Sequence, residues 1–120
     1  MEQSIHEEKE ITKDALLSLR DALDILGGKW KIPILLCLKN GKKRFKEIQR
    51  ELTGITGKTL SKELKELELN QIITRIESNS LPYTVEYSVT VYCKSLEKIV
   101  DGLKEWGDHH RALIFKRSPE

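Results

Sequence analysis

Five polar side chains between positions 58 and 65 have the types and the spacing that suit contact with a nucleic acid. They are Lys58, Thr59, Ser61, Lys62 and Lys65. Leu60, Leu64 and Leu67 recur among them at helical spacing, so the leucines would be buried and the polar residues would face outward. Lysine can donate to guanine or to phosphate, and threonine can contact bases or the thymine methyl group. An ordinary solvated helix face, with Lys62 and Glu66 paired four residues apart, is the alternative.

A cluster of basic residues precedes this helix. Residues 39–50 hold six lysines and arginines against the single acid Glu47, a local net charge of +5 in a chain whose total is +2. We expect Lys42, Lys43 and Arg44 to contact phosphate, because the free N–H groups of a helix N-terminus follow them. A lysine-rich turn in solvent is the alternative interpretation.

Two short predicted helices would position these residues. Apolar spacing predicts helices over Phe45–Leu52 and Thr56–Leu69, joined by the three-residue turn Thr53-Gly54-Ile55, as in a helix-turn-helix. Thr56 is a good N-cap. Asn70-Gln71 is the expected C-cap, because asparagine tolerates the left-handed conformation.

Two predicted strands follow the second helix. Ile72–Ile76 is rich in β-branched residues, and Val85–Val89 alternates apolar and polar residues. The connection Ser78–Thr84 is too long for a two-residue hairpin and would project as a wing. Residues 42–44 would form a short extended piece. The order of elements predicts a winged helix-turn-helix, in which the second helix enters the DNA major groove.

Further helices flank this unit. One begins at Asp14 and ends at Gly27-Gly28, and a second spans Trp30–Leu38 with Pro33 in its first turn. The last, about Tyr92–Leu113, carries an apolar stripe. We expect one α/β (mainly α) domain over residues 13–115, preceded by a flexible acidic segment over residues 1–12.

Composition excludes several classes of function. The two cysteines form no pair motif and no basic-apolar leader precedes the domain, so we expect a cytoplasmic protein. Apolar runs are too short to span a membrane. Neighbouring His109 and His110 point about 100° apart on a helix, so a metal site is not expected. The chain carries no catalytic motif, which predicts neither enzyme activity nor a cofactor.

The cysteines differ in their expected chemistry. Cys37 lies in an apolar run and should behave as a small buried hydrophobe with a raised pKa. Cys93 lies at the start of the last helix, where a helix N-terminus lowers the pKa of a thiol, and is the better candidate for a reactive thiolate.

The chain resembles the HxlR-type winged-helix regulators, which are related to the MarR group. The likeness covers about residues 15–110 and rests on Leu26-Gly27-Gly28-Lys29-Trp30, Arg44-Phe45-x-Glu47-Ile48, Ile55-Thr56-x-Lys58-x-Leu60-Ser61, Leu64-x-Glu66-Leu67-Glu68 and Pro82-x-x-Val85-Glu86-Tyr87-x-Val89-Thr90.

This resemblance implies a bacterial transcriptional regulator that binds a pseudo-palindrome in double-stranded DNA as a homodimer. The N- and C-terminal helices would then be dimerisation helices. The interface candidates are Leu16, Leu19, Leu96, Leu103 and Trp106. For Trp106, burial inside the same chain is the alternative.

The sequence departs from the family pattern at four places. Leu17 stands about where some members carry a sensor cysteine, and Cys93 stands where glycine is usual. Lys46 occupies the place of a small N-cap residue. Thr84 replaces a basic wing residue, so any wing contact with phosphate would come from Arg75.

Two rival functions stay open at this point. A winged helix can serve protein–protein contact without DNA, and the zero net charge of residues 56–69 favours that use. A thiol-responsive regulator, switched by Cys93, is the other. A small-molecule effector could bind between the terminal helices, but no residue selects its chemistry.

Overall fold

The computed structural model describes residues 11–117, which form five α-helices, a 3₁₀ turn and a small antiparallel sheet. The α-helices are α1 (Lys13–Leu26), α2 (Lys31–Cys37), α3 (Phe45–Glu51), α4 (Gly57–Leu69) and α5 (Glu97–Arg117), and a 3₁₀ turn, Tyr92–Leu96, leads into α5. The strands are β1 (Lys43–Arg44), β2 (Ile73–Glu77) and β3 (Val85–Val89). This mainly helical winged helix-turn-helix is the predicted fold class.

The core lies where α2, α3 and α4 meet β2. Its fully buried side chains are Ile34, Leu38, Ile48, Leu60, Leu64, Leu67 and Ile73. The three leucines of α4 are those that the sequence spacing assigned to the inner face. Their burial fixes the rotation of α4 about its own axis, because apolar area removed from water stabilises the fold by about 25 cal/mol per Å².

Local hydrogen bonds set the ends of the helix-turn-helix. Thr56 caps α4 as predicted, and its Oγ1 accepts from the Thr59 N–H at 3.1 Å. Gly54, in the turn before it, has a φ of +97°, a left-handed conformation that glycine adopts without a steric penalty.

The C-cap of α4 is Asn70, as the predicted cap Asn70-Gln71 allowed, but asparagine is not the residue in the left-handed conformation. Asn70 keeps a negative φ, and Gln71 takes the left-handed conformation at φ +62°. The Ile72 N–H donates to the Leu67 carbonyl at 3.0 Å and the Gln71 N–H to the Glu68 carbonyl at 2.9 Å, which is a Schellman cap. Burial of Ile72 within the cap displaces the start of the strand to Ile73.

The sheet forms the wing in strand order β1-β3-β2. β3 pairs with β2 from Ile73 opposite Val89 to Glu77 opposite Val85, and β1 pairs Lys43 with Tyr87. The Ser78 N–H donates to the Thr84 carbonyl at 2.9 Å, which closes the base of the predicted wing loop.

The terminal elements differ slightly from expectation. α1 begins one residue earlier than predicted, with Thr12 as its N-cap, and ends at Leu26 before Gly27-Gly28. The last helix extends to Arg117, and its first turn is 3₁₀. Within residues 11–117 no helix is long and apolar enough to cross a membrane. Most of the predicted acidic N-terminal segment lies outside the described residues.

Candidate nucleic-acid interface

The outward face of α4 is polar and mainly basic. Lys58, Ser61, Lys62 and Lys65 are exposed, on the side away from the buried leucines. Thr59 lies at the flank and is half-buried. Among the described residues, neither Lys58 nor Lys65 has a carboxylate within ion-pair distance. These two ammonium groups are therefore available to an anionic partner.

Two of the three acids of α4 face the body of the protein. Glu63 and Glu66 each accept a hydrogen bond from Lys31 Nζ, both at 2.6 Å. Lys31, at the start of α2, is only 7% exposed. Burial lowers the pKa of Lys31, but the two carboxylates outweigh that effect and leave it above its ordinary value.

Lys31 was not among the site residues predicted from the sequence. The available signal was its position in the apolar run Trp30–Leu38, where a lysine needs a partner if it is buried. Its partners lie 32 and 35 residues away, so no local pattern identifies them.

Lys62 also contacts these acids. Its Nζ lies 3.3 Å from Glu66 Oε2, the predicted pair four residues apart, and 3.9 Å from Glu63 Oε2. Hydrogen bonds from Lys31 and Lys62 lower the pKa of Glu66, so that this carboxyl stays ionised at neutral pH. Lys62 is nevertheless exposed, and its ammonium can turn toward solvent or an anion.

The predicted phosphate contacts do not form one equivalent set. Arg44 is exposed at the N-cap of α3, where its N–H donates to Glu47 Oε1 at 2.8 Å. Lys42 is exposed and lies 3.5 Å from Glu86 Oε1.

Lys43 is the least available of the predicted phosphate contacts. Its Nζ donates to the Cys37 carbonyl at 2.9 Å and lies 3.6 Å from Glu51 Oε2. Lys43 thus joins β1 to the C-terminus of α2 and to α3. A variant at this position would change the fold as well as any phosphate contact.

On the wing, Arg75 forms an ion pair with Glu77. This carboxylate raises the pKa of Arg75 further above its ordinary value, with smaller effects from Tyr87 and Tyr83. The charge of Arg75 is therefore partly compensated, unlike the charges of Lys58 and Lys65.

Lys46 and Arg50 belong to the basic cluster but were not among the predicted phosphate contacts. They are exposed four residues apart on α3, and so share one side of that helix. The N-cap of α3 is Arg44, two residues before Lys46. Lys46 therefore does not occupy the N-cap position that the family comparison suggested.

Both terminal helices carry apolar side chains that are open to solvent. Leu16, Leu19, Leu103 and Trp106 are exposed, and Trp106 is 66% accessible with its ring stacked on His110 at 4.9 Å between centroids. In this chain Trp106 is therefore not a core residue. Leu96 differs from the others, since it is half-buried and packs against the core.

Both cysteines are buried thiols. Burial raises the pKa of Cys37 to about 12, and its Sγ donates to Glu51 Oε1 at 2.9 Å. Burial also raises the pKa of Cys93, with a smaller effect from Glu97. The expectation that Cys93 has a lowered thiol pKa is wrong, because α5 begins only at Glu97 and Cys93 faces the core. No residues between 11 and 117 group into a metal site around His109 and His110 or elsewhere.

The fold and the exposed basic face of α4 define a winged helix-turn-helix protein. The profile of the HxlR-like helix-turn-helix proteins matches residues 25–114. The chain belongs to this family and is a helix-turn-helix protein of the transcriptional-regulator type, as the resemblance implied.

Known relatives agree with this assignment. The HTH-type transcriptional regulator YtcD of Bacillus subtilis is 45% identical over 99 residues, 82% of this chain and 79% of YtcD. Its crystal structure superimposes with a TM-score of 0.74 at 44% identity, covering 77% of this chain and 94% of that one.

Two further structures have the same fold. The redox regulator HypR in its reduced form has a TM-score of 0.77 at 38% identity, over 82% of this chain and 98% of HypR. A MarR-family regulator of Enterococcus faecalis has a TM-score of 0.75 at 32% identity, over 91% of this chain and 99% of that one.

Proposed function

We propose that this protein regulates transcription by binding double-stranded DNA as a homodimer, with α4 of each protomer in the major groove of one half-site. The observation that carries the proposal is the outward face of α4. It presents Lys58 and Lys65 without carboxylate partners among the described residues, on a helix held rigidly by three fully buried leucines. Such a face suits base edges near the helix N-terminus and phosphates near its other end.

In this proposal sequence choice and affinity come from different residues. Lys58, Thr59 and Ser61 lie nearest the N-terminus of α4 and would contact base edges. Lys62 and Lys65 would bind phosphate, together with residues of the basic cluster. Lys42 and Arg44 are exposed there, as are Lys46 and Arg50. Lys43 would act mainly through the fold, because its ammonium is already bonded to the Cys37 carbonyl.

The exposed apolar side chains of α1 and α5 support the homodimer. Apolar surface of this kind typically marks an interface. Two copies joined through it would present their α4 helices on one side, with centres about 34–36 Å apart if they enter successive major grooves. Residues 16, 19, 103 and 106 would lie in that interface.

An effector site is compatible with this arrangement. An apolar cleft lies between α1 and the 3₁₀ turn, where Ile25, Leu26, Ile72 and Leu96 line it. A small apolar molecule bound there would touch a terminal helix and the helix-turn-helix body together, and could change the spacing of the two α4 helices.

The protein–protein alternative loses part of its support in the structure. The net charge of α4 is zero, but Glu63 and Glu66 are bonded to Lys31 beneath the helix. The exposed face of α4 is consequently more basic than the net charge of the whole helix suggests. The structural neighbour HypR is a redox regulator, which favours the thiol-responsive alternative. Both cysteines of this chain are buried and have a raised pKa, which argues against rapid oxidation.

The decisive test is selection of bound sequences from random duplexes with the purified full chain, at low and at moderate salt. We expect a pseudo-palindromic consensus whose affinity falls steeply as salt rises, because phosphate contacts release counterions. Loose binding without a consensus would overturn the proposal and favour the protein-contact alternative.

A further inference from the structure

Lys31 is a buried lysine outside the proposed DNA-contacting surface. Its side chain is 9% exposed, and its Nζ bridges Glu63 and Glu66, which lie one turn apart on α4. A buried ammonium is costly unless it is paired, and this one has two carboxylates at 2.6 Å. The lysine thus connects the N-terminal end of α2 to the middle of α4.

We propose that Lys31 is a positioning residue for DNA binding, which neutralises the two carboxylates of α4 and so lowers their repulsion of DNA and their hold on Lys62. The inference rests on the proposed function of α4. Lys31 itself would not touch DNA.

The geometry gives the first reason. Glu63 and Glu66 flank the outward face, next to Lys62, and among the described residues Lys31 and Lys62 are the cations bonded to them. Without Lys31, two negative charges would have Lys62 as their remaining partner. The contacts that Lys62 already makes with both carboxylates would then be stronger, and they would compete with a phosphate for its ammonium group.

The second reason is orientation. The leucines fix α4 by apolar contact, which is non-directional. The fork from Lys31 to two carboxylates adds a directional constraint on rotation and sliding of α4 against α2, since both bonds must keep their length together. A base-reading helix needs such precision, because hydrogen bonds to base edges are short and directional.

The test compares DNA affinity across a set of variants of the full chain, on the selected operator and over a range of salt. In K31M, the apolar replacement frees both carboxylates; in K31M/E63Q/E66Q, both positions are neutral. K104M is the matched control, because it also removes one lysine from an ion pair, the exposed contact of Lys104 with Asp108 at 2.9 Å on α5.

We expect K31M to weaken binding by about tenfold or more at low salt, with the difference narrowing as salt rises, because repulsion between carboxylate and phosphate is screened. The triple variant should regain the part of the affinity that carboxylate repulsion removes, and should stay below wild type by the part that orientation of α4 contributes. K104M should change the affinity less than about threefold, as removal of a surface ion pair does. A merely structural role would give a loss that salt does not reduce and that neutralising Glu63 and Glu66 does not repair.

If K31M fails to fold, the double variant K31M/E63Q can be compared with the triple variant. The two differ only in the charge at Glu66, so the comparison tests whether a carboxylate without Lys31 weakens DNA binding. Weaker binding by K31M/E63Q supports the proposal, and equal binding overturns it. Wild-type protein that binds no operator would instead refute the proposed function. Normal operator binding by folded K31M would refute the role of Lys31 alone.

Discussion

The helix-turn-helix unit buries most of its apolar side chains, whereas the terminal helices leave most of theirs exposed. Six of the seven fully buried side chains belong to α2, α3 and α4, if Leu38, the C-cap of α2, is counted with its helix. The 21 residues of α5 contribute Val100 as their buried side chain, and α1 contributes Leu26. The unit proposed to contact DNA is therefore complete within one chain, whereas the terminal helices display apolar surface that a second chain would cover.

This contrast separates two kinds of stability. The helix-turn-helix unit should be stable through burial within the chain, and its α4 should keep its orientation in a monomer. The terminal helices should depend on protomer concentration, because an interface contributes only when it forms. Variants in the helix-turn-helix unit should consequently change the free energy of unfolding, and variants in the terminal helices should change the dimer dissociation constant.

The largest effect is expected in the core. Leu60→Ala removes a fully buried side chain of α4 and should lower the free energy of unfolding by about 2–5 kcal/mol, through lost burial and the cavity left behind. Urea denaturation followed by circular dichroism measures it. Leu69→Ala, on the same helix but 76% exposed, is the control and should change stability by less than about 0.5 kcal/mol. Equal effects would mean that the leucine face does not anchor α4.

The next effect concerns the terminal helices. Trp106→Ala should weaken dimerisation by at least about 2 kcal/mol, because large aromatic residues at the centre of an interface contribute most. Sedimentation over a range of concentrations measures the dissociation constant. Leu81→Ala, in the wing loop and 91% exposed, should leave it unchanged. A wild-type protein that stays monomeric at high concentration would contradict the assignment of this surface.

A smaller effect distinguishes base contact from phosphate contact. Lys58→Ala should reduce discrimination between operator and altered sites by about 1–3 kcal/mol. Lys42→Ala should weaken binding to all DNA about equally and reduce the salt slope by about one. Titrations of labelled duplexes provide both quantities. If the two variants behaved alike, α4 would not be the base-reading element.

The last prediction concerns the reactivity of the two thiols. At pH 8 we expect alkylation of Cys37 in the folded chain to be at least about a hundredfold slower than in denaturant, because only the thiolate reacts. Raised pKa values mean that the folded state holds the thiol proton more tightly. This contribution to stability is complete below the ordinary thiol pKa and is lost as pH rises toward about 12 for Cys37. Rapid labelling of either native cysteine would restore the thiol-switch hypothesis.

Local patterns predicted most of the helix-turn-helix. The spacing of Leu60, Leu64 and Leu67 identified the buried face of α4, and Thr56 identified its first turn. The order of helices and strands, with a long loop between two β-branched segments, predicted the wing. These features depend on neighbours within a few residues, and so the sequence contains them directly.

The charged contacts could not be predicted in this way. Lys43 was expected to contact phosphate, yet its Nζ donates to the Cys37 carbonyl. Cys93 was expected to have a lowered pKa, yet it faces the core before α5 begins. In both cases the outcome depends on which element lies nearby in space, and residue type alone does not contain that information.

By itself, the sequence determined the secondary structure, the inner face of α4 and the family, because hydrophobic periodicity and local motifs act over short distances along the chain. Only the tertiary structure decided how the charges are distributed. It placed Lys31 beneath Glu63 and Glu66, 32 and 35 residues away, and thereby made the exposed face of a formally neutral helix basic. It also separated Leu96, which packs against the core, from Trp106 on the same stripe, which stays exposed. Helical spacing places such residues on one face, but packing against the rest of the chain decides which part of that face is covered.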